Sequence, residues 1–297
     1  MNFITFGSLE LDYYIRDNLL NSLNIGSSSL LTLVNLRGNK KYISVSGNDT
    51  KKDIALSILN KLDIEVINKI TTDNTKLLFI KPKTITNICP YCDRTKEYIY
   101  ENNNTYFLDN ISNEKIIIDN LYEDTIDLLS NLDNEIYLIL KDIESIKYYN
   151  LDELNSINNL ELVFLNESVS QYLIKKYDID EVDILKLFNT KMLIINKGKK
   201  GIEFITNDII YEKENELDKE VIDNTGSEEA LFATIINIYL ENNKELTEKI
   251  LSIMFIKGES IYTIVRSRIG ATSHLIPNTL LESYKGCICD DIKVQNI

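Results

Sequence analysis

Basic residues are scarce. The 297 residues hold 32 Lys and Arg against 46 Asp and Glu, a net charge of −14. That balance argues against nucleic acid and against anionic membrane surfaces, both of which attract basic patches. A phosphate ligand would need a local positive or dipolar site. Apolar runs are short, and none reaches the roughly 18 residues of a spanning helix. The start, Met1-Asn2-Phe3-Ile4-Thr5, carries no basic segment. No signal peptide is expected, and a cytoplasmic location is the default. Histidine is nearly missing. His274 is the only one, in an expected loop with no partner acid evident, and it takes no catalytic role. Cysteine is confined to Cys89, Cys92, Cys287 and Cys289. Structural disulfides are not expected in a cytosolic chain. The two pairs could share a zinc as a Cys₄ site. They lie far apart and one spacing is C-x-C, so free thiols are the simpler expectation. No thioredoxin-like strand and helix flank Cys89-Pro90-Tyr91-Cys92, which argues against a redox motif.

What remains is ordinary for a globular protein, with 44% hydrophobic and 26% charged residues. Length allows one or two domains, and with no internal repeat a single unit over 1–297 is expected. Phe3–Phe6, Lys41–Val45 and Ile64–Ile67 read as strands, with helices over Leu30–Leu36, closed by Gly38, and over Asp53–Leu62. From Thr75 to Ile118 the pattern turns to short β-type runs, Leu77–Ile80, Thr84–Ile88, Tyr98–Tyr100, Thr105–Leu108 and Lys115–Ile118. Then strand and helix alternate. Helical patterns cover Asp124–Leu132, Leu151–Ile157, Glu167–Lys175 and Glu181–Phe188. Strands are expected at Ile136–Leu140, Leu160–Leu165 and Met192–Asn196. Such alternation predicts a mostly parallel sheet with helices on both faces. Helices over Ala230–Glu241, Leu246–Phe255 and Ser260–Ser267 close the chain.

One stretch stands out: Val221-Ile222-Asp223-Asn224-Thr225-Gly226-Ser227-Glu228-Glu229-Ala230-Leu231-Phe232-Ala233. An apolar end runs into a glycine turn and then a helix, with Ser227 as the expected N-cap. Backbone N–H groups and the helix dipole make such a turn a ready anion site. The stretch resembles the signature of the PfkB/ribokinase family of carbohydrate kinases, roughly D-T-x-G-A-G-D-A-F-x-A. Asp223, Thr225, Gly226, Ala230 and Ala233 match it. The resemblance extends over the chain, with motifs in order. Gly7 through Asp12 resembles the opening G-x-x-x-x-D. Gly26 and Ser29 fall in the glycine-rich turn, and Asn166 opens the N-x-x-E segment. Asn196, Gly198 and Gly201 resemble the T-x-G-x-x-G turn, and Gly270-Ala271 with Pro277 the closing G-A-x-x-x-x-P.

The resemblance implies a ribokinase-like three-layer αβα sandwich with a mostly parallel central sheet. It adds a small β lid with strands from about 12–18 and 75–118. It implies transfer of the ATP γ-phosphate, with Mg²⁺, to a hydroxyl of a sugar or similar small alcohol. By position, Glu229 takes the place of the catalytic base. Gly226, Ser227 and Glu228 form the anion hole, and Asp12, Gly26 and Ser29 bind substrate. Asn166, Asn196, Gly198, Gly201 and Thr225 face the nucleotide. No residue is assigned to metal. A homodimer paired through the lid is a further implication. Simpler roles stand beside some of these: a strand-end turn for Asp12, a polar helix start for Ser29, solvated surface lysines for Lys197, Lys199 and Lys200.

Three positions within the reaction centre depart from the pattern. Glu228 replaces a glycine of the anion hole, Glu229 replaces the catalytic aspartate, and Val169 stands where a glutamate would order the magnesium. Acids favour the first turn of any helix, which explains their tolerance but not an anion site. The alternative expectation is therefore a non-catalytic binding or regulatory protein on the same scaffold.

Overall fold

The coordinates are a computed structural model. It describes residues 1–16, 19–71, 75–81, 84–86, 110–121, 126, 129–147, 151–215, 221–268, 270–272 and 274–275. The four cysteines, the runs 98–100 and 105–108, residues 124, 125, 127 and 128 of the expected helix, and Pro277 lie outside these residues.

The chain opens with β1 (Asn2–Ser8), β2 (Glu10–Arg16), β3 (Leu19–Ile25), α1 (Ser28–Asn35), β4 (Asn39–Ser46), α2 (Thr50–Lys61) and β5 (Glu65–Ile70). Next come β6 (Lys76–Lys81), β7 (Thr84–Thr86), β8 (Lys115–Ile118), β9 (Ile136–Leu140), α3 (Leu151–Asn155) and β10 (Leu160–Asn166). The remainder is α4 (Glu167–Tyr177), α5 (Glu181–Leu187), β11 (Met192–Asn196), β12 (Ile202–Ile205), β13 (Ile210–Lys213), α6 (Ser227–Glu241) and α7 (Glu248–Arg266).

Nine strands form one sheet in the order β13-β12-β11-β10-β9-β8-β1-β4-β5. All pairs from β11 to β5 are parallel, and β12 and β13 add an antiparallel edge. The central strands are apolar runs, not alternations. β9 (IYLIL) and β11 (MLIIN) are buried at every residue, as strands covered on both faces require. The pleat sends successive side chains to opposite sides. Phe3, Ile117, Tyr137, Ile139, Phe164 and Ile194 pack with α1, α2, α6 and α7. Ile4, Ile116, Leu138, Leu140, Val163 and Ile195 pack with α4 and α5. The result is three layers. A second, four-stranded sheet has the order β3-β2-β6-β7. Among the described residues no helix is long and apolar enough to cross a membrane.

The structure changes several local expectations. Ser227 is not the N-cap of α6. Gly226 holds that place at φ 81°, and the Ser227 hydroxyl instead donates back to Asn224 O at 2.7 Å. The two closing helices are one, α7, running through Gly258. A glycine inside a helix costs about 1 kcal/mol against alanine. Here a Cβ would stand 2.5 Å from Leu231 Cδ1, so the glycine permits close packing of α7 on α6. Gly38 does not end α1, whose C-cap is the extended Leu36. The strands β3, β12 and β13 were not expected from the sequence.

Chain order decides where a site can form. From β1 the chain moves outward through β4 and β5, then resumes on the other side of β1 with β8. Ligands on such sheets sit outside the carboxyl ends of the strands, at the reversal.

Gly201 has φ 113° and ψ −160°, a region essentially restricted to glycine. A Cβ there would also collide with the Lys213 carbonyl. Gly201→Ala should lower the unfolding free energy by at least about 2 kcal/mol in urea titration. A change under about 0.5 kcal/mol would refute this account of the turn.

Candidate active site

Four polar residues stand at the carboxyl ends of adjacent parallel strands. Asp119 follows β8, Lys141 follows β9, Asn166 ends β10 and Asn196 ends β11. The first turn of α6 meets them. Glu229 is buried, at 1% exposure. Its Oε1 accepts from Ser28 Oγ at 2.6 Å and from Lys141 Nζ at 2.7 Å. Its Oε2 is buried with no hydrogen-bond partner among the described residues. Glu228 reaches the same ammonium, with Oε2 at 3.3 Å from Lys141 Nζ, and its Oε1 accepts from Asn196 Nδ2 at 2.8 Å. Burial alone would lower the Lys141 pKa, but the charges of Glu229 and Glu228 outweigh it and hold it above the ordinary lysine value.

The asparagines support this cluster. Asn166 donates from Nδ2 to Lys141 O at 2.8 Å, and its Oδ1 caps α4 at Val169 N, 3.0 Å. Asn196 Oδ1 accepts from Gly198 N at 3.1 Å. The turn before α6 is fixed by Asp223. One oxygen accepts from Thr225 N (2.9 Å) and Thr225 Oγ1 (2.7 Å), and the other from Gly270 N at 2.9 Å. A Cβ on Gly226 would stand 2.7 Å from Ala271 Cβ, so the helix start is pressed against the closing segment.

A second acidic corner lies on β2. Glu10 and Asp12 are both buried, and Lys76 pairs with Glu10. Gly26 leaves the room they use, since a Cβ would clash with Glu10 Oε1 and approach Asp12 Oδ1 to 2.8 Å. The start of α1 joins the two corners. Gly26 adjoins Asp12, Ser28 holds Glu229, and Ser29 N donates to Asp119 Oδ2 at 2.9 Å. Burial first, then the charges of Asp12 and Asp223, push the Tyr14 phenol well above its usual value.

The structure thus gathers Glu229, Glu228, Asn166 and Asn196 in one hydrogen-bonded network, with Thr225, Gly226 and Ser227 in the adjoining turn. Asp12, Gly26 and Ser29 line the neighbouring corner. Gly198 adjoins Asn196. Gly201 lies further off, against β13. Lys197 pairs with Glu203 and Glu212, and Lys200 with Glu167, so these lysines spend their charge locally. His274 Nε2 lies 2.6 Å from Asn35 Oδ1, away from this network. Sequence reading missed Lys141, Ser28, Glu10, Lys76 and Asp119. The available signal was position: Asp119 and Lys141 each directly follow a buried apolar strand.

Both ends of the Asn166 amide are engaged, and Val169 is buried and apolar. Among the described residues no group of three or more His, Cys, Asp or Glu is placed to hold a metal.

No protein-family model matches the sequence, and no curated protein does. Solved structures do match. A Methanocaldococcus jannaschii nucleoside kinase, an archaeal member of the ribokinase family, aligns with TM-score 0.66 and 19% identity over 92% of this chain and 94% of that one. Ribokinase from Thermotoga maritima aligns at 0.64 and 15%, over 91% and 94%. Aminoimidazole riboside kinase from Salmonella enterica, complexed with aminoimidazole riboside and an ATP analogue, aligns at 0.67 and 12%, over 92% and 96%. At these identities the likeness establishes the fold: the chain has the ribokinase fold, a three-layer α/β sandwich.

Asp12 gives a test of the acidic corner. Burial first, then the charge of Glu10, holds its carboxyl well above the usual value of 3.8, with Lys76 opposing. A carboxyl raised on folding favours the folded state when protonated, and that stability is lost as pH rises through the folded pKa. Asp12→Asn should therefore raise the unfolding free energy at pH 8, with the gain shrinking towards pH 4. A gain independent of pH, or a loss at pH 8, would contradict this.

Proposed function

We propose that the protein transfers the γ-phosphoryl group of ATP to a hydroxyl of a sugar, nucleoside or similar small alcohol. One observation carries the reading. Glu229 is buried at the start of α6 with one oxygen held by Ser28 and Lys141 and the other, Oε2, unpartnered. A general base needs an oriented carboxylate with a lone pair to spare. Oε2 would take the proton of the acceptor hydroxyl as its oxygen bonds to the γ-phosphorus. The bond from that phosphorus to the β–γ bridging oxygen breaks, and ADP leaves. Catalysis of this kind is mostly positioning and charge stabilisation, which the N–H groups of the α6 first turn can supply. Asp12, beside Gly26, would accept from another hydroxyl of the acceptor. The acceptor classes follow the named substrates of the structural neighbours.

A second reading, a non-catalytic binding or regulatory protein, draws on Glu228. A carboxylate about 4 Å from a phosphate charge costs about 4 kcal/mol at an effective dielectric of 20. Lys141, already shared between two acids, offsets part of that. ATP with magnesium, offered with a panel of sugars and nucleosides, separates the readings through ADP release. If an acceptor is turned over, Glu229→Gln should cut kcat by about 10²–10⁴ with the fold intact by circular dichroism. Glu229→Asp, which draws the carboxyl back by about 1 Å, should cost on the order of 10². Full activity in Glu229→Gln would remove Glu229 from the base role. No turnover across the panel would favour the second reading.

A further inference from the structure

We infer that Lys141 is a positioning residue: its ammonium, shared between Glu229 and Glu228, offsets the second acid of the pair and so keeps the first turn of α6 usable as an anion site. The inference rests on reading that turn as the phosphate end of the site, and it goes further by naming what makes an acid there tolerable. Three features support it.

The first is geometry. Both oxygens of Glu228 are engaged, one by Lys141 Nζ at 3.3 Å and the other by Asn196 Nδ2 at 2.8 Å. The carboxylate is thus anchored to the ends of β9 and β11. The second is charge. Glu228, Glu229 and Lys141 sum to −1 (two acids less one base), the charge of a site with a single acid. The ammonium is shared, 2.7 Å from Glu229 and 3.3 Å from Glu228, so the three groups act as one unit of charge −1. The third is the mounting. Asn166 Nδ2 holds the Lys141 carbonyl at 2.8 Å, so the root of the lysine is fixed by the residue that caps α4. Independently of the helix terminus, the unpartnered buried Oε2 of Glu229 points to a ligand donor in the same place.

The test uses inorganic tripolyphosphate, titrated calorimetrically into the full chain. Four proteins are compared: the native chain, Lys141→Gln, Glu228→Gln, and the double variant. Lys141→Gln keeps an amide donor for Glu229 but makes the cluster −2. The double variant returns it to −1. Lys141→Gln should weaken tripolyphosphate binding at least about tenfold, and Glu228→Gln should tighten it. The double variant should bind within about threefold of the native chain. If Lys141→Gln does not fold, the charge-balanced double variant alone decides: a loss beyond about tenfold overturns the inference. So does unchanged binding in Lys141→Gln, or no binding by the native chain. Phosphoryl transfer is assayed on the same preparations. Charge coupling without transfer keeps this inference and removes the kinase reading. Transfer without charge coupling does the reverse.

Discussion

Two acids in one helical turn share one cation. That constraint organises the site. Glu229 is buried and ionic contact with Lys141 is what makes its burial tolerable. Removing one partner of such a pair typically costs about 3–5 kcal/mol, because the other charge is left without compensation. The lysine reaches both acids from the carboxyl end of β9. The strand order therefore reaches directly into the chemistry. A parallel sheet gathers its strand ends on one side, and α6 enters at that side with its positive pole first.

The same turn depends on parts of the chain that come much later. Asp223 is tied to Gly270, and Gly226 is packed on Ala271. Ile222 N and Asp223 N both donate to Arg266 O, at 2.8 and 3.1 Å. The end of α7 therefore sets the angle at which α6 begins. An N-terminal glycine in the left-handed region is needed because Ala271 leaves no room for a side chain.

Much of the architecture was legible in the sequence. The buried strands β9, β10 and β11 announce themselves as short apolar runs between helical patterns, and the D-N-T-G stretch marks the start of α6. The errors have physical causes. Gly258 reads as a break, yet its missing side chain serves packing between α6 and α7. Ser227 reads as a cap, yet its hydroxyl turns back to Asn224. β12 and β13 are a short edge pair with weak alternation. The residues of the acidic cluster were half legible. Glu228 and Glu229 are visible as departures from a pattern, but what they bind is not. Lys141 lies 88 positions from Glu229 and Ser28 lies 201 positions away. Only the folded sheet brings them together.

Among the described residues the central sheet is open, with nine strands and β13 and β5 at its ends. Open edges are templates on which another chain can add a strand. Both edges here are guarded by charge. β5 exposes Glu65 and Lys69, and β13 carries Glu212 and Lys213. A second copy aligned on either edge would have to bury those charges, and would meet a body already at −14. A net charge of −14 repels a second copy approaching either edge, and that repulsion opposes edge-to-edge pairing more strongly as concentration brings copies together.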